Sequence, residues 1–390
     1  MEVSLRAAGS STEVQRIQRL VRHLAPVLTD GATSARAKSF LRGLLAHLII
    51  VPAWVIPPGA LFGSLVLAGA PLGLKGILAT MGVGAGLVSG PKKMRPALCA
   101  IALLVAAASK KTKAAVAAVV ASFLTWLVSR QGKIPRYPWL FNFVSTWAKD
   151  FYSNTALRGA LDDIRPNKSF LGFHPHGCLC AGFTINCTYN PDFIRACTKV
   201  SFLCDPILRH KNPGFQLMSE AYEADDRSIE ACDPEGFKHH MQEGTNIAFF
   251  PGGFMDAVAF EFGKDVCVLS SKKGFIKYCL QFGYRAHPVY TFGECETYHT
   301  FTGLQSFRMK VAAQNVPALA FFGWPLVPFL PRPQSQILTY VGPGIDLPHI
   351  PSPSHEDVDQ WHQVYVDALR KLFDDNKVDA GYPNAQLEIL

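Results

Sequence analysis

Over 119 consecutive residues, from Gly31 to Lys149, the chain has neither Asp nor Glu. A solvated helical bundle intersperses charges of both signs, so this stretch argues against an ordinary soluble domain at that end of the chain. Charge is scarce overall: 17% of the 390 residues are Asp, Glu, Lys or Arg, against 49% hydrophobic. That balance is too apolar for a disordered chain or a nucleic-acid-binding tail. The net charge of +8 is also uneven. Residues 39–136 hold eleven basic groups and no acidic one, residues 1–38 hold six and three, and the remainder sums to −6. The basic excess belongs to one apolar segment, which predicts a lipid surface as partner and no nucleic acid.

Other absences narrow the chemistry. The ten cysteines form no CxxC pair, Cys178 and Cys180 being the closest, which predicts buried free thiols in a reducing compartment. There is no GxxxxGK[ST] loop for a nucleoside triphosphate and no GxSxG elbow for a serine nucleophile. The first apolar run begins near Gly43, too late for a signal peptide, and the sequons at Asn167 and Asn186 are then incidental.

What is present divides the chain into a basic segment (1–38), a hydrophobic region (39–136) and a globular remainder (137–390). In the first, Val14, Ile17, Leu20, Val21 and Leu24 recur at helical spacing, with Arg16, Arg19 and Arg22 among them. In the second, 32 uncharged residues separate Arg42 from Lys75, interrupted by Pro57-Pro58. That is enough for one tilted crossing of a bilayer or for two short arms bent at the prolines. Basic clusters follow at Lys92-Lys93, Lys110-Lys111 and Arg130 to Arg136. If each stays cytosolic, the apolar runs between them enter the membrane and return. The expectation is a membrane-embedded helical region, hairpin-like near Pro57-Pro58, with both flanks in the cytosol.

Beyond Tyr137 the pattern changes to short apolar runs bounded by turns: Phe170–Phe173, Val200–Cys204, Asn246–Phe250, Pro288–Phe292 and Ile337–Val341, each a strand candidate. Val358, Trp361, Val364, Tyr365, Ala368, Leu369, Leu372 and Phe373 line one face of a helix, and Ser354 with Asp357 forms a capping signal before His355. Strands alternating with helices predict an α/β sheet with its ligands beyond the strand ends.

Two constellations stand at such ends. His174-Pro175-His176-Gly177 directly follows the first run, and a turn there holds imidazoles where they can do acid–base work. The competing reading is a metal, because His174, His176, Cys178 and Cys180 would share a face if the strand continued; Gly177 weighs against it. Phe250-Pro251-Gly252-Gly253-Phe254-Met255-Asp256 supplies glycines whose N–H groups could face an oxyanion, and an acid that could partner a histidine.

The ordered set of motifs resembles the type 2 diacylglycerol acyltransferases and their monoacylglycerol acyltransferase and wax synthase relatives, over about residues 136–390. HPHG at 174–177 matches that family's signature, and PGG with an acid at Asp256 matches its glycine block, where Glu is more usual. Lys273-Gly274-Phe275 through Pro288-Val289-Tyr290 and Phe292-Gly293-Glu294 is similar to its next block. Val341-Gly342-Pro343 through His362-Gln363-Val364-Tyr365 resembles its C-terminal one. The resemblance implies an α/β, glycerolipid-acyltransferase-like mixed sheet with flanking helices, plus the N-terminal membrane-embedded helical region. It implies acyl-CoA as co-substrate, no further cofactor and no resident metal. Diacylglycerol is the favoured acceptor, with monoacylglycerol or a fatty alcohol as alternatives.

The basic flanks at both ends of the Gly43–Leu74 stretch predict an endoplasmic-reticulum membrane and lipid-droplet location with residues 137–390 in the cytosol, and the reading is compatible with a homo-oligomer. His176 is expected as general base, because Gly177 beside it leaves room for a substrate to approach, Pro175 restricts the backbone of His174, and the first histidine of HPHG is Glu in some members. Asp256 is expected to orient it and His174 to support it, with Gly177, Gly252 and Gly253 forming the turns or the oxyanion site. Lys272, Lys273 and Arg308 are candidates for the phosphates of the co-substrate. Three other readings stay open: an acyl-cysteine intermediate at Cys178 or Cys180, a metal-dependent hydrolase, and a non-catalytic membrane scaffold.

Overall fold

The computed structural model describes residues 31–69, 136–312 and 319–390, of which 31–34, 55–69, 213 and 311 as backbone alone. The amphipathic pattern at 14–24 and the basic clusters and apolar runs between Lys75 and Lys133 lie outside the described residues.

The centre of the chain is a mixed sheet. Its strands are β1 (Asn154–Gly159), β2 (Ser169–His174), β3 (Val200–Cys204), β4 (Arg227–Ala231), β5 (Asn246–Phe249), β7 (Arg285–Phe292), β8 (Gln336–Val341) and β9 (Ile345–Asp346). A short β6 (Asp265–Cys267) instead pairs in parallel with β10 (Leu387–Ile389). The spatial order is β1-β8-β7-β2-β5-β3-β4, with β9 antiparallel on β7. All the other pairs are parallel except β7 with β8, which is antiparallel.

β2 is buried along its whole length, as a central parallel strand must be. Its side chains alternate between two cores. Leu171 and Phe173 face a cluster with Phe193, Phe202 and Phe250, whereas Phe170 faces one with Phe275, Tyr290, Tyr365 and Phe373. The second core is closed by the long C-terminal helix His355–Asn376, whose start is fixed by a capping box between Ser354 and Asp357. Several shorter helices begin Asn-Pro or Asp-Pro. Asn190, Asp205, Asn212 and Asp233 each accept from a backbone N–H in the first turn, and the proline occupies the position whose N–H would have no partner.

The N-terminal membrane-embedded region expected from the sequence is corrected here. Among the described residues no helix is long and apolar enough to cross a membrane. The helix that carries the uncharged stretch, α1 (Gly31–Gly69), continues past Pro57 and Pro58 and lays one face of residues 40–54 on the globular part. Ala46, Ile50 and Val51 are buried in the first core, and His47 stacks on Phe151 at 4.1 Å. A side chain at Gly43 would meet the backbone N of Phe151 at 2.5 Å, and Asn212 donates to the Trp54 carbonyl. Over residues 40–54 the hydrophobicity that read as lipid-facing is therefore divided: Phe40, Leu44, Ala46, Ile50, Val51 and Trp54 meet protein, whereas Leu41, Leu45, Leu48 and Ile49 are exposed. The transmembrane character and the endoplasmic-reticulum and lipid-droplet location rested on that region and fall with it.

Candidate active site

Three neighbouring parallel strands end at one edge. β2 lies between β5 and β7, with Gly172 opposite Phe249 and His174 opposite Tyr290. Register alone thus brings together the HPHG turn after β2, the Pro-Gly-Gly turn after β5 and the Gly-Glu turn after β7.

His174 ends β2, 1% exposed, and its peptide bond to Pro175 is cis. The hydroxyl of Tyr365 donates to the Gly172 carbonyl, so its oxygen is free to accept from His174 Nε2 at 3.0 Å. That assigns the proton to Nε2 and leaves the lone pair on a buried Nδ1 without a partner. Burial holds this imidazole neutral, its pKa lowered to about 3.

His176 is the half-buried member of the pair. Its ring packs against Phe250 with centroids 4.6 Å apart. Nδ1 lies 3.0 Å from the Gly177 carbonyl, which can only accept, so Nδ1 carries the proton and Nε2 presents the lone pair. Cys180 Sγ sits alongside at 3.5 and 3.6 Å from the two ring nitrogens. Desolvation lowers the His176 pKa below its ordinary value, partly opposed by the bond to Gly177.

Asp256 stands in the first turn of the helix Gly253–Ala259, where a carboxylate is favoured. It does not meet the His176 ring. One carboxylate oxygen accepts from the backbone N–H of His176 at 3.0 Å, and the other from the N–H of Val268 at 3.0 Å. Asp256 therefore orients His176 through the main chain. Burial raises its pKa to about 6 against the lowering effect of those two bonds.

The three glycines stand in tight turns. The space beside Gly177 is filled by Glu294, whose carboxylate oxygen would lie 2.4 Å from an added Cβ, so it is not an approach path for substrate. Gly252 packs on Asp256, and the N–H of Gly253 donates to the Phe250 carbonyl within its own turn.

Lys273 reaches Asp359 at 2.7 Å in an exposed ion pair, and Lys272 precedes it in the same loop, which leads on from Val268. Arg308 departs from the expected phosphate contact. It is 7% exposed, with its guanidinium donating to the carbonyls of Phe301 and Val258. Arg209, which opens the basic run Arg209-His210-Lys211, is also turned inward, onto the Ile229 carbonyl and Glu223.

The set His174, His176, Cys178 and Cys180 is not gathered as a metal site. Among the described residues the group that could hold a metal ion is His174, Asp256 and Cys267, each offering a ligand atom within 4.8 Å of the others. A thiolate at Cys180 is opposed by burial and by the charge of Glu294, which push its pKa well above the ordinary value. The backbone N–H groups after it, at Ala181 and Gly182, are taken by Glu294.

Three participants escaped the sequence reading as site residues: Tyr365, Cys267 and Glu294. Two had a signal. Tyr365 stands in the His-x-x-Tyr step, and Glu294 is an acid following a glycine at the end of an apolar strand, a placement that asks for buried partners.

Comparison with known proteins gives a consistent result. A family model described as "Diacylglycerol acyltransferase" matches residues 112–390. The chain is 28% identical over 282 residues to acyl-CoA wax alcohol acyltransferase 1 of Homo sapiens, covering 68% of this chain and 83% of that protein. It is 25% identical over 296 residues to diacylglycerol O-acyltransferase 2 of Xenopus laevis, covering 69% and 78%. It is 34% identical over 160 residues to diacylglycerol O-acyltransferase 2-like protein 6 of Homo sapiens, covering 37% and 46%.

Proposed function

The chain belongs to the diacylglycerol acyltransferase family and is an acyltransferase; on that premise we propose that it transfers the acyl group of acyl-CoA to the hydroxyl of diacylglycerol, forming triacylglycerol. His176 is the general base. Its Nε2 removes the acceptor's hydroxyl proton as the oxygen attacks the thioester carbonyl, giving a tetrahedral oxyanion. Collapse breaks the carbon–sulfur bond. The CoA thiolate leaves and takes the proton from the His176 imidazolium, so the base is restored without a covalent enzyme intermediate or a nucleotide.

The observation that carries this reading is the tautomer of His176. A half-buried imidazole with its proton on Gly177 and its lone pair on Nε2 is the form a base requires, and desolvation keeps it neutral at and below ordinary histidine pH. His174, fully buried and tied to Tyr365, supports the turn. The N–H of Gly252 is the candidate for the oxyanion, and Lys272 and Lys273 are the candidates for the co-substrate phosphates. Diacylglycerol is favoured over monoacylglycerol or a fatty alcohol because the ordered motifs align with that branch.

The test supplies labelled oleoyl-CoA with each of the three acceptors to the purified protein and separates the products. Triacylglycerol should dominate, and excess EDTA should leave the rate unchanged. His176→Ala should cost about 10² to 10⁴ in rate, and His174→Ala should retain part of the activity. Full activity in His176→Ala would sink the mechanism, and a wax ester as main product would replace the acceptor.

A further inference from the structure

We infer that Glu294 is a positioning residue that fixes the His176 turn through the backbone, an inference that rests on the His176 reading above. The residue follows Gly293, which has a φ of 82° and lies so close to the Gln336 carbonyl that an added Cβ would sit 1.9 Å from its oxygen. The chain can turn there only as glycine, and the turn drives the Glu294 side chain inward from the end of β7. At 1% exposure its carboxylate accepts from the backbone N–H of Ala181 at 2.9 Å and of Gly182 at 2.7 Å. Those two amides open the helical segment that ends the HPHG turn, so the acid caps it from a distant strand.

The turn wraps the carboxylate closely. Gly177 has a φ of 64°, and its missing side chain leaves the space that one carboxylate oxygen occupies. Cys180, a non-glycine residue, is held at a φ of 52° immediately before the two anchored amides. The segment from Pro175 to Gly182 therefore has two fixed ends. Asp256 holds the N–H of His176 at one, and Glu294 holds Ala181 and Gly182 at the other. Both partners of the imidazole between them, the Gly177 carbonyl and Cys180 Sγ, belong to the part Glu294 holds.

Among the described residues, the groups that act electrostatically on this carboxylate or are acted on by it are Tyr152, Cys178, Cys180, Cys295 and Tyr298, none of them a cation. The amides of Ala181 and Gly182 offset its charge, and burial raises its pKa to about 7. An acid kept in such surroundings has to be justified by what it holds in place.

Glu294→Gln keeps the shape but presents an NH₂ to one of two N–H donors, so one anchor is lost. A base displaced by a fraction of an ångström to 1 Å costs up to about 10²-fold. The expected result is a kcat lower by about 10- to 100-fold, an unchanged KM for acyl-CoA, and loss of the acid limb near pH 7 that protonation of this carboxyl gives the wild type, leaving only the lower limb of His176. A kcat within twofold of wild type, or a loss that follows the folded fraction with the acid limb unmoved, would overturn the inference.

If Glu294→Gln does not fold, a double-mutant cycle replaces it. Gly177→Ala alone drives a methyl group into the carboxylate. Glu294→Asp, one methylene shorter, relieves that contact, so the double variant should lose less than the product of the two single losses. Strict additivity would refute the contact's role. His176→Gln assayed in parallel separates the two levels of the argument. If it is inactive while Glu294→Gln is normal, only the Glu294 inference fails; if it is fully active, both fail.

Discussion

Replacing Asp256 by Asn tests the electrostatics of the site without changing its shape. In the folded protein the Asp256 carboxyl has a pKa raised from the ordinary 3.8 to about 6, because burial outweighs the N–H bonds from Val268 and His176. The folded state thus holds this proton more tightly than the unfolded chain, by about 3 kcal/mol at roughly 1.4 kcal/mol per pH unit. The sign follows directly. That contribution is fully present below pH 3.8 and is lost as the pH rises through about 6, where the carboxylate must be carried in the interior.

The amide of Asp256→Asn does not titrate. It keeps one acceptor oxygen and turns an NH₂ towards the second N–H, a loss of about 1.5–3 kcal/mol. Above pH 7 the lost bond and the removed charge nearly cancel, and the variant should melt within a few degrees of wild type. At pH 4 wild type should be the more stable by about 3 kcal/mol, about 6 °C at roughly 2 °C per kcal/mol for a large domain. Melting both proteins between pH 4 and 8 and plotting the difference isolates this one group. A difference that stays flat over that range would show that Asp256 does not titrate there, and the account of its burial would be wrong. Activity at pH 7.5 should fall by about 10- to 100-fold, because the N–H of His176 loses its charged acceptor.

Further outcomes follow from single contacts. Tyr365→Phe removes the hydroxyl between His174 and Gly172, and should destabilise the protein by about 1–3 kcal/mol in thermal melts while sparing more activity than His176→Ala. Asn186→Leu breaks bonds from one buried amide to the Ala156 and Ile337 carbonyls and to Thr339, which join β1 and β8; a loss of about 1–3 kcal/mol is expected in denaturant titration. Gly43→Ala pushes a methyl group onto the Phe151 backbone and should raise hydrogen exchange over residues 40–54 relative to wild type. The wild-type rate should be flat above pH 7, where the lowered pKa of His176 keeps its base form, and should fall below it as the Glu294 carboxyl, with a pKa of about 7, takes up a proton and gives up an anchor; an acid limb centred above pH 8 would contradict that.

Local pattern was legible in the sequence wherever the physics is local. The five apolar runs picked out beyond Tyr137 are strands β2, β3, β5, β7 and β8, and the Ser354–Asp357 capping signal marks the observed start of the last helix. Period and end signals depend on neighbours a few residues away, which a chain carries in itself. HPHG and PGG could be named from the same information, as turns at strand ends.

Tertiary structure alone decided what each group touches. Sequence order does not say that β2 lies between β5 and β7, yet that arrangement brings Asp256 and Glu294 to the turn bearing His176, from opposite sides. It also reassigned several residues: Asp256 to a backbone amide instead of a ring, Gly177 to a buried acid instead of substrate, and Arg308 to two carbonyls instead of phosphate. The apolar face of α1 shows why. Leu, Ile and Val at helical spacing report that water is avoided, and the same residues satisfy lipid or protein equally. Only the positions of Phe151, Tyr152 and Phe215 in space settle that the face bearing Ala46, His47, Ile50 and Trp54 is covered by protein while Leu41, Leu45, Leu48 and Ile49 are left exposed.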